Sequence, residues 1–171
     1  MLPASAAVPL PSRRELHPLL LEPHYWRDRL QHQRSVRHFL LRVPRPDLSS
    51  PACEVEEVRF RSHDGVRLWG LVGRCPLLHG QQPALLRTVG ACERPAINPS
   101  NVQDGFTEIV LQFPAGRRLE DRVLDVLRTC DLALNLQWVD VDRVQLSTTD
   151  SRDLPDELRI AEQLRSTGLI S

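Results

Sequence analysis

Trp138-Val-Asp-Val-Asp-Arg-Val-Gln-Leu-Ser-Thr-Thr-Asp-Ser-Arg-Asp-Leu154 links a long amphipathic segment to a short one. The apolar half reads as strand and the polar half as an abrupt turn into a helix. That outline belongs to a nucleophile turn, which holds one reactive side chain clear of the backbone. A G-x-S-x-G turn needs small residues on either side of the nucleophile, because its tight corner brings neighbouring backbone close. The flanking places fall on Thr148 and Arg152 if Asp150 is central, or on Thr149 and Asp153 if Ser151 is. Asp150 and Ser151 are therefore candidate nucleophile positions on a degenerate turn.

Upstream, Leu119, Val123, Leu127, Cys130 and Leu134 repeat at helical spacing, with Glu120, Asp121, Arg122, Asp125 and Arg128 on the other side. The reading predicts a helix there, a polar turn over Val139 to Arg143 and a strand from Val144 to Thr148. Phe106 to Phe113 and Pro83 to Gly90 are short apolar runs bounded by turn residues, as in strands buried on both faces. Arg87 interrupts the second. The loop from Ala91 to Asp104 leaves little room for a full helix. Val55 to Phe60 and Val66 to Val72 flank Asp64-Gly65, a strong hairpin signal. His63 and Asp64 tempt as a chemical pair, but backbone geometry in the turn explains them equally.

Residues 1–12 read as a loose tail, and Pro23 to Leu41 as one or two amphipathic helical turns carrying His24, His32 and His38. Without a carboxylate or cysteine cluster, those histidines read as solvated surface. Arg42 to Pro51, with prolines at 44, 46 and 51, reads as a linker. Downstream, Asp153 is an N-cap candidate, Pro155 an early helical proline, and a helix should run to about Ser166. The division expected is an arm and linker over 1–50 and a domain over 51–171. Hairpin, then strand and helix in alternation, means α/β.

The chain of 171 residues is long enough for one domain with a real core. Its 22 basic and 22 acidic residues cancel, so no overall field draws it to nucleic acid or an anionic membrane. Every basic residue is Arg, which coding composition explains without phosphate recognition. Cys53, Cys75, Cys92 and Cys130 contain no C-x-x-C pair, and Cys75 with His79 lacks a second pair, so no metal or other cofactor is expected. The N-terminus lacks a basic leader with an unbroken apolar run, and no segment is apolar enough to span a bilayer. A cytoplasmic, reducing setting without structural disulfides is the expectation.

Several stretches in this order resemble the acetyl xylan esterase and cephalosporin-C deacetylase family of α/β-hydrolases. Pro23-His-Tyr-Trp-Arg-Asp-Arg-Leu30 resembles its N-terminal segment, and Val58-Arg-Phe-Arg-Ser-His-Asp-Gly-Val-Arg-Leu-Trp-Gly70 its opening hairpin. Pro83 to Gly90 is similar to its third strand, with Val89 in place of a histidine. The resemblance retains the family's glycine at Gly90 and puts Ala91 where a backbone N–H helps form the oxyanion hole, so Gly90 and Ala91 are the oxyanion-hole-like positions. Pro114-Ala115-Gly116 keeps only the glycine of an Asp-x-Arg-Gly ending, while Val139-Asp-Val-Asp-Arg-Val144 is similar to the approach to the nucleophile strand.

The fold implied is an incomplete α/β-hydrolase-like mixed sheet: an N-terminal antiparallel hairpin, then parallel strands with crossover helices, stopping just after the nucleophile-turn helix. No histidine follows His79, and the family's acid and base come from loops beyond that helix. The expectation is a truncated, catalytically inactive hydrolase-like domain with a binding or assembly role. The alternative is a carboxylic ester hydrolase, a deacetylase of acetylated sugars, active only with a partner chain that supplies the acid and histidine. The edge at 144–148 would then serve self-association or a partner chain.

Overall fold

The computed structural model describes residues 22–35, 40–147 and 154–167. In chain order they form α1 (Pro23–Ser35), β1 (Leu41–Pro44), β2 (Glu54–Arg61), β3 (Arg67–Arg74), β4 (Gln82–Val89), α2 (Pro99–Gln103), β5 (Thr107–Gln112), α3 (Leu119–Leu134), β6 (Val139–Leu146) and α4 (Asp156–Ser166). One mixed sheet takes the order β1-β2-β3-β5-β4-β6. Neighbours from β1 to β5 run antiparallel, whereas β4 is parallel to both β5 and β6. The fold is α/β, as the alternation of elements predicts.

The hairpin forms where Asp64-Gly65 places it. Gly65 has φ of 81°, the left-handed region that glycine enters without a Cβ clash. Ser62 N–H donates to Val66 O at 2.9 Å, and Glu54 through Arg61 pair in register with Arg74 through Arg67. Glycine is required again at Gly70, where a Cβ would stand 2.3 Å from the Val110 carbonyl oxygen across the β3–β5 pair.

Alternation along the strands divides the core. Val58, Phe60, Leu68, Val72, Leu86, Ile109 and Leu111 share the larger cluster with Trp26, Val123, Leu127, Cys130, Leu158 and Leu164 of the three long helices. Cys53, Val55, Leu71 and Val102 make a smaller cluster, with Trp69, Cys75 and Ile97 packed against it. In α3 the predicted face holds at Val123, Leu127 and Cys130, but Leu134 is 39% exposed. Leu134 is the last residue of α3, and Ala133 beside it is buried in its stead.

Four local expectations change. Helix α1 runs 13 residues rather than one or two turns, anchored by Trp26 and Leu30 one turn apart. The stretch read as a linker begins with β1, which among the described strands pairs only with β2 and so tolerates Pro44 at its end. A short helix, α2, fits into the loop before β5, its Asn98 side chain accepting from Ser100 N–H. Strand β6 starts at Val139: Gln82 pairs with Val139 but Ala84 with Val144, so Asp140 to Arg143 bow out of the ladder. Arg143 Nε donates to Asp140 Oδ2 at 2.6 Å across that bulge.

Arg87 in β4 is explained by its neighbour on β5. Its Nε lies 2.7 Å from Oε1 of Glu108, whose side chain is fully buried. Glu108 also accepts from Asn98 N–H and, at 3.2 Å, from Asn101 Nδ2. One buried carboxylate thus satisfies a strand cation and hangs the approach to α2 on the sheet.

Candidate functional site

The strand directions bring the carboxyl ends of β2, β4, β5 and β6 to one edge of the sheet. Along that edge the chain order reverses around β4, since β5 lies on one side of it and β6 on the other. Open α/β sheets bind their ligands at such a switch point. The candidate site is therefore bounded by Val89 to Glu93, by Gln112 and Phe113, by Leu146 and Ser147, and by the start of α4.

Gly90 and Ala91 lie at this place, in a turn that closes on itself. Glu93 N–H donates to Gly90 O at 3.1 Å, and Gly90 N–H donates back to Glu93 Oε2 at 3.3 Å. Gln112 Nε2 donates to the carbonyls of Ala91, at 3.2 Å, and Glu93, at 2.7 Å, tying the turn to β5. The Gly90 N–H is thereby engaged by a carboxylate of its own turn. Asp150 and Ser151, with Thr148, Thr149, Arg152 and Asp153, lie outside the described residues. Beyond them α4 begins with Asp156 and Glu157 in its first turn, where the helix dipole favours negative charge.

A second constellation sits at the same edge, at the end of β2. Ser62 is fully buried, and its hydroxyl donates to Asp125 Oδ1 of α3. Arg117 forks onto Asp125 with Nε to Oδ2 and Nη2 to Oδ1, both at 2.8 Å, while also binding both oxygens of Asp64. Its Nη2 donates to Ser62 Oγ at 2.8 Å. His63 Nδ1 stands 3.1 Å from Ser62 Oγ, and its Nε2 3.4 Å from Asp121 Oδ1. One residue-rich patch therefore couples the hairpin turn, the β5–α3 loop and α3.

Burial pushes the Asp125 carboxyl up, opposed by Arg117 and Ser62, which stabilise its charge. Burial also presses the Arg117 charge downward, but Asp125 and Asp64 outweigh it and raise the guanidinium further. Burial lowers the His63 imidazole below its ordinary range, against the pull of Asp64, Asp125 and Asp121. The serine, histidine and aspartate are not arranged for nucleophilic catalysis. The Ser62 proton is committed to Asp125 and the hydroxyl is sealed from solvent, so no substrate carbonyl meets it.

Ligating atoms of His63, Asp64 and Asp121 come within 4.8 Å of one another. Both oxygens of Asp64 are held by the Arg117 fork, and that fixed positive charge competes directly with a cation. His24 and His32 are exposed on α1, and His38 lies outside the described residues. Cys75 is half-buried and His79 exposed. No described helix is long and apolar enough to cross a membrane.

Sequence reading singled out His63 and Asp64 but missed Ser62, Arg117 and Asp125 as a unit. Ser62 and Asp125 are 63 positions apart, and nothing in either local pattern joins them. The spacing puts Asp125 and Arg128 on the polar side of α3, whereas the structure buries both, because the hairpin end packs over that side and Arg117 and Ser62 bind Asp125 while the Arg61 carbonyl accepts from Arg128.

No family model matches the chain, and no curated relative matches it. Solved structures do. The acetyl xylan esterase from Paenibacillus sp. R4 superposes with a TM-score of 0.62 at 14% identity, over 73% of this chain and 50% of that one. Acetyl xylan esterase 1 from Thermoanaerobacterium sp. JW/SL YS485 gives 0.60 at 20% identity, over 72% and 48%. A putative acetyl xylan esterase from Bacteroides fragilis NCTC 9343 gives 0.53 at 14% identity, over 89% and 53%. The chain spans about half the length of these structures and shares the mixed-sheet α/β-hydrolase fold with them.

Proposed function

We propose that this α/β-hydrolase-like chain does not hydrolyse esters by itself and serves in binding or assembly. The observation that supports the reading is the Gly90 turn, where the Glu93 carboxylate engages the Gly90 N–H and so sets a negative charge in the turn that holds Ala91, the position whose N–H the resemblance gives to the oxyanion. Acyl transfer depends on donors preorganised where negative charge develops, and a resident carboxylate there opposes that charge. The bulky residues around Asp150 and Ser151 support the same reading.

For assembly, the support is the outer edge of β6, which among the described strands pairs only with β4. The backbone groups along that edge suit strand addition by a second copy or a partner chain. Arg165 of α4 already covers one of them, donating to Val144 O at 2.9 Å. The same open edge favours a second reading, an ester hydrolase of acetylated sugars completed by a partner chain that brings the acid and histidine.

Short acyl esters offered to the purified chain, with Asp150→Ala and Ser151→Ala beside it, decide between them. The expected rate equals that of denatured chain. A saturable rate abolished by either substitution overturns the proposal. Light scattering across a dilution series tests assembly: mass should fall on dilution, and a constant monomer mass at high concentration refutes it.

A further inference from the structure

We propose that Cys53 and Cys75 form a redox-active pair that closes into a cross-strand disulfide under thiol-oxidising conditions. The β2–β3 register ends with Glu54 opposite Arg74, so one further step sets Cys53 opposite Cys75. Directly opposed residues on an antiparallel pair point to the same face. The two cysteines do share a face, within the smaller apolar cluster.

The hydrogen-bond pattern sharpens the match. Ser62 N–H bonds across the hairpin to Val66 O, so even-numbered residues of β2 exchange hydrogen bonds with β3. Odd-numbered ones face the other way: Arg45 N–H donates to Val55 O, and Cys53 exchanges both of its backbone bonds with Ser50. Cys53 and Cys75 therefore occupy a non-hydrogen-bonded position, where opposed Cα atoms approach to about 4.5 Å. A disulfide accepts Cα separations of about 4.4–6.8 Å, so a pair one step beyond Glu54 and Arg74 in that register meets its backbone requirement.

All four cysteines are free thiols in the structure. Cys130 faces the core from α3, and burial pushes its thiol up to about 12, which removes it from exchange. Cys92 is exposed in the Gly90 turn, at the opposite edge of the sheet from Cys53 and Cys75. Cys75 is half-buried, whereas Cys53 is buried, and burial raises its thiol with Glu108 and Cys75 adding to the effect. Cys75 is thus the thiol that meets an oxidant first and Cys53 the one that resolves it. A groove of about 690 Å³ lined by Cys53, Trp69 and Ile97 lies on the Cys53 side of the pair.

With oxidised glutathione the Cys75 thiolate attacks one sulfur and expels the first glutathione thiolate. Cys53, as its thiolate, then attacks the Cys75 sulfur and expels the second. The two protein thiols give up two electrons and two protons, and the glutathione disulfide becomes two glutathione thiols. The closed bridge would pin the Ser50 turn to the exit of β3.

The test equilibrates native chain across ratios of oxidised to reduced glutathione, blocks free thiols by alkylation and maps the peptides by mass. The expected result is loss of two alkylable thiols, recovered as one peptide joining 53 to 75 and reversed by reductant. Cys53→Ser should instead accumulate a glutathione adduct on Cys75. The proposal fails if Cys53 and Cys75 stay alkylable at every ratio, or if the joined peptide forms only in denaturant.

Discussion

Replacing Arg117 with Met keeps most of the side-chain volume and removes the fork that holds Asp125. In the native chain the Asp125 side chain is fully buried and Arg117 is 8% exposed, with two contacts of 2.8 Å between them. Removing one partner of a buried ion pair costs about 3–5 kcal/mol, because the other charge is left unsolvated. The arm to Asp64 adds little, since Asp64 is 36% exposed and such contacts contribute about 0–1 kcal/mol. The expected loss at neutral pH is therefore about 3–5 kcal/mol, read as a fall in the urea midpoint by tryptophan fluorescence. The loss also depends on pH in a stated direction. Burial already raises the Asp125 carboxyl, and without Arg117 it rises further. A carboxyl whose folded pKa lies above its unfolded value, about 3.9, has its stability intact below that value and loses it as pH climbs through the folded pKa. The deficit of Arg117→Met should thus grow from acid to neutral pH. In an Asp125→Asn background, where no charge is stranded, the same substitution should cost about 1 kcal/mol. A loss under about 1 kcal/mol at neutral pH, or one that does not change with pH, would refute the reasoning.

Two further outcomes are expected. Leu127, 1% exposed at the centre of the α3 face, should cost about 2–5 kcal/mol on truncation to Ala, and an unchanged denaturation midpoint would mean that α3 packs through another face. Burial keeps His63 neutral by lowering its folded pKa below the unfolded value of about 6.5, so stability should decline as pH falls through that value. Urea midpoints of the native chain and His63→Gln between about pH 5 and pH 8 check this, with the decline smaller in the variant.

Where sequence reading succeeded, the signal was local. Asp64-Gly65 announces its hairpin because the turn needs a positive φ, and α3 announces itself through a repeat that only a helix presents to one core. Where it failed, a neighbour decided. Proline-rich Arg42 to Pro51 carries no strand signal, yet β2 offers an edge and Leu41–Pro44 takes it. Asp140 to Arg143 is polar enough to read as a turn, and the ladder accommodates it as a bulge inside β6. The site divides in the same way. The hairpin was visible in a short motif, whereas the nucleophile-turn outline falls on 148–153, outside the described residues. The Glu93 return bond and the Ser62–Asp125–Arg117 latch exist only once the sheet has brought distant loops to one edge.

The strand order also bears on how the chain is made. After β3 the ribosome delivers β4, but the free edge of β3 is reserved for β5, which comes later. Ala84, Leu86 and Val89 of β4 are buried in the finished sheet, and none of β4's pairing partners precedes it. Synthesis proceeds from the N-terminus, and an unpartnered apolar ribbon invites wrong pairing or capture by a chaperone. The nascent chain carries that ribbon for as long as translation takes to run from Val89 to Gln112.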